Sequence, residues 1–129
     1  MKKEILIVED EEKIINFIKN RLDKSVYNID IALDGKEALS KIVSNSYDLI
    51  TLDVMLPFID GFDLCKKIRQ KSKQTLVIMI SALDTIEFKE KGYHLGIDDY
   101  IAKPFSAKEL ALKIQSLLKR KEEIHTTYL

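Results

Sequence analysis

Five short apolar segments alternate with longer segments of helical periodicity, and this alternation constrains the fold more than any other feature of the chain. The apolar segments are short enough for single strands and several are rich in β-branched residues; they cover residues 5–8, 29–33, 49–52, 76–80 and 100–102. The intervening segments place apolar side chains about one helical turn apart. Such alternation predicts a parallel sheet with helices on both faces, joined by right-handed crossovers.

The composition of each apolar segment indicates where its strand lies in the sheet. The first, third and fourth segments are almost entirely apolar, as expected for strands that are covered on both faces. Residues 28–31 instead alternate polar and apolar side chains, as in a strand nearer an edge. We therefore expect a doubly wound α/β domain. Its last three helices are expected at residues 61–69, 84–95 and 106–120, with Ser106 and Glu109 as a capping box.

One domain is expected from a chain of 129 residues. We place it at residues 1–121, because residues 122–129 lose the apolar period and are interpreted as the start of a linker. The balance of 21 basic and 21 acidic residues disfavours binding to nucleic acid or to a membrane through bulk charge. The basic run at residues 66–71 is interpreted as a solvated helix face. A single cysteine and a short apolar N-terminal run favour a cytoplasmic protein.

Polar side chains follow four of the predicted strands at their carboxyl ends, which is where doubly wound sheets bind ligands. They are Glu9, Asp10, Asp53, Ser81 and Lys103. Three carboxylates in one cleft repel each other unless a cation lies among them, and Mg²⁺ prefers oxygen ligands. The group therefore predicts a Mg²⁺ site. For the acidic run at residues 9–12 taken alone, a helix N-terminus favoured by the helix dipole is an equally good explanation.

Three motifs contain these residues and resemble, in this order and spacing, the receiver domains of bacterial two-component response regulators. They are Ile-Leu-Ile-Val-Glu-Asp-Glu at 5–11, Leu-Asp-Val-Met-Leu-Pro at 52–57 followed by Asp60-Gly61, and Asp-Asp-Tyr-Ile-Ala-Lys-Pro-Phe at 98–105. The resemblance covers residues 4 to about 120 and is strongest to the OmpR/PhoB type. It implies a CheY-like, flavodoxin-like sheet of five parallel strands in the order 2-1-3-4-5, with five helices.

The resemblance implies a role for each residue at the strand ends. Asp53 would be the phosphoacceptor, since a carboxylate can attack phosphorus and hold the phosphoryl group as a mixed anhydride. Asp10 and Asp53 would bind Mg²⁺ through their side chains, Glu9 would contribute through a water molecule, and Met55 would contribute its backbone carbonyl. Lys103, directed inward by a cis bond to the following proline, would supply a second positive charge to the phosphoryl oxygens.

Ser81 and Tyr100 resemble the pair that couples phosphorylation to a change of shape in this family. The Ser81 hydroxyl would move to a phosphoryl oxygen, and the Tyr100 ring would follow into the vacated space. Phosphorylation would then bias an equilibrium between two arrangements of the surface formed by the fourth helix, the fifth strand and the fifth helix.

The same surface is where OmpR/PhoB-type receivers pair, so the resemblance implies a homodimer. Asp98, Asp99 and Lys89 are available for charge pairs between two protomers. Lys113 stands where family members usually carry arginine, and a lysine loses the bidentate geometry of that pairing.

The expected partner is a sensor histidine kinase, and DNA would be bound by a C-terminal effector domain that lies outside this sequence. The chain itself is therefore expected to bind neither nucleic acid nor membrane, and to be a regulatory phosphoacceptor rather than an enzyme. Met55 and Leu83 flank the site, and neither side chain can orient an attacking water. Slow spontaneous dephosphorylation is expected for that reason.

Two alternative functions fit part of this residue set. A phosphatase of the haloacid-dehalogenase type also uses an aspartate after a strand and Mg²⁺, but Met55 occupies the position of its second aspartate, so the general acid is missing. An adaptor that signals without phosphorylation is the other alternative, and it is disfavoured because the full set of phosphorylation residues is present.

Overall fold

The computed structural model describes the backbone of residues 1–127 and the side chains of residues 1–124. The five strands are β1 Lys3–Val8, β2 Tyr27–Ala32, β3 Leu49–Asp53, β4 Leu76–Ser81 and β5 Asp99–Ala102. The five helices are α1 Glu12–Lys19, α2 Gly35–Ser44, α3 Gly61–Lys71, α4 Ile86–His94 and α5 Ala107–Thr127. Strand and helix alternate along the whole described chain, as the sequence predicted.

All strands of the sheet are parallel and lie in the order β2-β1-β3-β4-β5, which confirms the predicted doubly wound topology. β1 pairs with β2 on one side and with β3 on the other, so the direction of winding reverses beside β1. The carboxyl ends of β1 and β3 therefore border the crevice where such sheets bind ligands.

Each face of the sheet supports a separate apolar core, because successive strand residues point to opposite sides. One core joins Leu6, Val8, Leu52 and Met79 to the apolar residues of α2 and α3. The other joins strand residues that alternate with these, such as Ile7, to the apolar stripes of α1 and α5. The strands are thus fixed in register from both sides, and the loops at their ends are presented on a rigid support.

Several predicted boundaries were wrong by a few residues, and local capping explains two of them. α4 begins at Ile86 rather than at residue 84, because extended Thr85 is its N-cap and accepts a hydrogen bond from the Phe88 amide. α5 begins at Ala107 rather than at residue 106, because Ser106 caps it as predicted: its hydroxyl accepts a hydrogen bond from the Glu109 amide at 3.1 Å.

The C-terminal end of α5 differs most from the prediction. The helix continues to Thr127, past its expected end at residue 120, so the described part of residues 122–129 is helical. Residues 128 and 129 lie outside the described residues. That this segment begins a linker stays a prediction.

No helix in the described part of the chain is both long and apolar enough to span a membrane.

Candidate functional site

The carboxyl edge of the sheet brings together the polar residues that the sequence singled out. Glu9 and Asp10 follow β1, Asp53 ends β3, Ser81 ends β4 and Lys103 follows β5. Because the strands are parallel and adjacent, these residues lie at one edge although up to 94 positions separate them in the chain.

Lys103 joins two of the carboxylates. Its ammonium group donates hydrogen bonds of 2.8 Å to Glu9 Oε1 and of 2.8 Å to Asp53 Oδ2. The side chains of Lys103, Glu9 and Asp53 are only 13%, 3% and 6% exposed, so these are buried ion pairs. The Lys103–Pro104 peptide bond is cis.

Burial and charge pull the pKa values of this group in opposite directions. Burial alone would lower the pKa of the Lys103 ammonium, but its hydrogen bonds to Asp53 and Glu9 outweigh burial and raise that pKa. Burial raises the pKa of the Glu9 carboxyl, and the nearby Asp53 charge adds to the effect, although the hydrogen bond from Lys103 opposes it. The Lys103 ammonium is therefore firmly charged, and the Glu9 carboxylate takes up a proton more readily than an exposed glutamate does.

The carboxylates of Glu9, Asp10 and Asp53 form a compact acidic cluster. Each contributes an oxygen, and these oxygens all lie within 4.8 Å of one another. Two backbone amides orient the cluster: that of Glu11 donates to Glu9 Oε2 at 3.2 Å, and that of Met55 donates to Asp53 Oδ1 at 3.1 Å. Lys103 offsets only one of the three negative charges, and exposed Asp10 opens the cluster to solvent. Such a set of oxygen donors fits a hard divalent cation such as Mg²⁺.

Ser81 and Tyr100 both bond to the backbone of Leu83, in the loop between β4 and α4. The fully buried Ser81 hydroxyl accepts a hydrogen bond from the Leu83 amide at 3.1 Å. The Tyr100 hydroxyl donates to the Leu83 carbonyl, and Tyr100 is buried, with 7% of its surface exposed. Tyr100 is therefore already buried while the Ser81 hydroxyl is still bonded to Leu83. Leu83 is linked to both side chains.

The acidic residues at the start of β5 are already engaged within the chain. Asp98 accepts hydrogen bonds from Arg69 at 3.2 Å and from the Val77 amide at 2.8 Å. Asp99 forms an ion pair of 3.0 Å with Lys113. Any pairing of these groups across two protomers would thus compete with bonds inside one protomer.

Arg69 corrects the interpretation of residues 66–71 as a solvated face. Its side chain is only 19% exposed, and it donates to the carbonyl oxygens of Ser72, Thr75 and Gly96 besides Asp98. The guanidinium group therefore ties the end of α3 to the loops before β4 and β5. Nothing in the local sequence distinguishes Arg69 from its exposed neighbours, because all its partners are distant in the chain or are backbone atoms.

An open groove of about 590 Å³ lies beside the acidic cluster. Met55, Leu83 and Phe88 contribute apolar walls, and Asp10 and Lys91 contribute charges. A larger cavity of about 1060 Å³ has Lys3, Leu76 and Lys121 in its wall, residues of the amino end of the sheet or of the end of α5. The acidic cluster lies at the opposite edge of the sheet, beside the smaller groove.

Comparison with known proteins agrees with this geometry. The family model described as the response regulator receiver domain matches residues 5–115. The response regulator ArlR of Staphylococcus saprophyticus is 44% identical over 119 residues, which are 92% of this chain and 54% of ArlR. The alkaline phosphatase synthesis transcriptional regulatory protein PhoP of Bacillus subtilis is 43% identical over 95% of this chain and 51% of its own length.

A solved structure, the receiver domain of the Francisella response regulator 1452, is 42% identical. It superposes with a TM-score of 0.85 over 92% of this chain and 98% of that one. The chain spans about half the length of the two curated relatives, both of which are OmpR/PhoB-type response regulators. The resemblance of the three sequence motifs is thereby confirmed: the chain belongs to the response regulator receiver domain family and is of the OmpR/PhoB type.

Proposed function

We propose that this receiver domain takes a phosphoryl group from a sensor histidine kinase onto Asp53, with Mg²⁺ bound at the acidic cluster. The observation that carries the proposal is the position of Asp53: a buried carboxylate, 2.8 Å from the Lys103 ammonium and within 4.8 Å of the Glu9 and Asp10 carboxylates. A nucleophile, a fixed cation and a set of metal-binding oxygens thus meet at one strand end.

Each residue has a distinct task in the proposed reaction. The Asp53 carboxylate oxygen forms a bond to phosphorus, and the bond between phosphorus and the donor's nitrogen breaks as the donor leaves. Asp10 and Asp53 would hold Mg²⁺ directly, Glu9 through a water, and Met55 through its carbonyl. When bound, Mg²⁺ would neutralise charge on the phosphoryl oxygens. Lys103 offers a second positive charge, and positioned charge is what a loose phosphoryl transition state requires.

The output of the proposed switch begins at Leu83. Movement of the Ser81 hydroxyl towards a phosphoryl oxygen would break its bond to the Leu83 amide. Leu83 lies three residues before the start of α4, whose single buried residue is Gly92. A weakly anchored helix of this kind shifts at little cost, so the surface formed by α4, β5 and α5 would report the phosphorylation state.

In the whole protein this domain would regulate transcription in the cytoplasm, through an effector domain that binds DNA. PhoP, which matches over about half of its own length, is named as a transcriptional regulatory protein. The chain would act as a regulatory phosphoacceptor that assists its own phosphorylation and dephosphorylation. We further propose that two phosphorylated receivers pair through α4, β5 and α5. Sedimentation with and without beryllofluoride, a phosphoryl mimic, measures the oligomeric state. We expect a dimer with beryllofluoride, and a monomer under both conditions would refute the pairing.

The phosphoacceptor is tested by intact-mass analysis after incubation with Mg²⁺ and acetyl phosphate. We expect one phosphoryl adduct on the wild type and none on Asp53→Asn. Asp63→Asn is the matched control, since Asp63 is an exposed acid on α3 outside the acidic cluster, and it should be labelled like the wild type. An adduct that persists in Asp53→Asn would refute the assignment.

A further inference from the structure

The start of α3 folds back onto the residues that carry Asp53. The Gly61 amide donates a hydrogen bond of 2.9 Å to the Val54 carbonyl, although six residues lie between them in the connecting loop. The Asp60 side chain caps the same helix by accepting a bond from the Asp63 amide at 2.9 Å. The first turn of α3 is therefore held against the end of β3.

Gly61 leaves no room for a side chain at this contact. A Cβ built on it would lie 2.4 Å from the Asp53 carbonyl oxygen and 2.8 Å from Val54 Cα. Carbon atoms do not approach within 3.0 Å in real contacts, and both neighbours are backbone atoms that cannot rotate away. Any larger residue must displace either the helix or the backbone of the phosphoacceptor.

We propose that Gly61 is a positioning residue for Asp53. The missing side chain allows the first turn of α3 to lie directly on the Asp53 main chain. That contact fixes the strand end from which the carboxylate reaches Lys103 and the other two acids. Gly61 contributes no atom to the acidic cluster and acts only through its contact with the backbone of Asp53. The inference rests on the proposed phosphorylation of Asp53 and adds Gly61 to the residues on which that reaction depends.

The geometry sets the size of the expected effect. Relieving the overlap requires the Asp53 backbone or α3 to move by roughly half an ångström or more. The carboxylate must meet two partners at once, the ammonium at 2.8 Å and the acidic cluster within 4.8 Å. Misplacement of a reacting group by about 1 Å can slow a reaction on the order of 100-fold. We expect Gly61→Ala to slow phosphorylation by about 10- to 100-fold at saturating Mg²⁺.

Gly35 provides a matched control. It begins α2 as Gly61 begins α3, and a Cβ on it would lie 2.2 Å from the Ile59 carbonyl oxygen. Its amide donates to Pro57 in the same loop at 3.0 Å. Neither glycine leaves room for a Cβ, but the contacts of Gly35 are with Ile59, whereas those of Gly61 are with Asp53 and Val54.

The experiment compares Gly61→Ala, Gly35→Ala and the wild type. For each protein we would measure the free energy of unfolding, the Mg²⁺ dissociation constant and the rate of phosphorylation by acetyl phosphate as a function of Mg²⁺ concentration. Both variants should lose stability, whereas only Gly61→Ala should bind Mg²⁺ more weakly and react more slowly at saturation. Folded Gly61→Ala with wild-type binding and rate would overturn the inference, as would an equal loss of rate in both variants.

An unfolded variant and an unlabelled wild type would have different meanings. If Gly61→Ala does not fold, it is measured again in a Phe58→Gly background, which removes an unfavourable backbone conformation from the same loop. If Gly61→Ala stays unfolded there while Gly35→Ala folds, the contact serves the fold rather than Asp53, and the inference is wrong. A wild type that acetyl phosphate does not label refutes the proposed function itself, so the two failures are distinguishable.

Discussion

Replacing Lys103 by methionine leaves the buried carboxylates of Glu9 and Asp53 facing each other without their shared ammonium group. Methionine keeps most of the volume of the side chain, so the change removes charge and hydrogen bonds with little change in packing. The two carboxylates are 3% and 6% exposed, and water cannot replace the lost partner without opening the site. Removing one member of a buried ion pair costs about 3–5 kcal/mol.

The pH dependence of Lys103→Met follows from the same contacts. In the wild type the pKa of Lys103 is raised by folding. Its contribution to the free energy of unfolding is therefore complete below the lysine pKa of the unfolded chain, and it is lost only as the pH rises through the higher folded value. In the variant, Glu9 loses the hydrogen bond that opposes its burial, and its already raised pKa should rise further. The folded state then binds a proton more tightly than the unfolded state does. Stability should fall as the pH rises through that folded value, and it should recover as the pH falls towards the glutamate pKa of the unfolded chain, about 4.3.

Urea unfolding at neutral and acidic pH measures this prediction directly. We expect the free energy of unfolding to fall by about 3–5 kcal/mol at pH 7 and by clearly less at about pH 5. Lys108→Met, at an exposed position on α5, is the control and should stay within about 0.5 kcal/mol of the wild type. A loss below about 1 kcal/mol that does not vary with pH would refute the buried-pair reasoning.

Three further substitutions test individual contacts. Phe58→Gly should stabilise the protein by about 1 kcal/mol, because Phe58 has φ 74° and the residue is 70% exposed; a lower thermal midpoint would contradict this. Arg69→Lys should cost about 2–4 kcal/mol in urea unfolding, because lysine cannot reach all the acceptors of the guanidinium group, whereas exposed Lys67→Ala should be nearly neutral. Met55→Asn should shorten the lifetime of the phosphoryl group several-fold, since the amide can orient an attacking water; an unchanged hydrolysis rate would count against it.

The sequence predicted the location of the candidate site because the rule behind it is topological. Parallel strands end at one edge, so Asp53 and Lys103 could be placed together without knowledge of any side-chain contact. The alternation of apolar segments predicted five strands, the helices between them and a doubly wound sheet, whereas the strand order came from the family resemblance. What it could not give was the pairing of Lys103 with Glu9, which depends on side-chain conformations in the folded protein.

Arg69 and the end of α5 show where local patterns fail. Arg69 sits in a run of basic residues, and its burial depends on loop carbonyls that only the folded chain brings near it. In α5, residues 122–127 lack an apolar stripe in the sequence, and the backbone is nevertheless helical there. The spacing of apolar residues reveals only the part of a helix that carries an apolar stripe, and not its full length.

The most direct test of the central claim is to locate the phosphoryl group itself. The protein is incubated with acetyl phosphate in the presence of Mg²⁺ or of EDTA, and the adduct is reduced with borohydride and mapped by tandem mass spectrometry. We predict modification at Asp53 in the Mg²⁺ sample and none in the EDTA sample. Modification at another residue, or equal labelling of Asp53 in EDTA, would contradict the account.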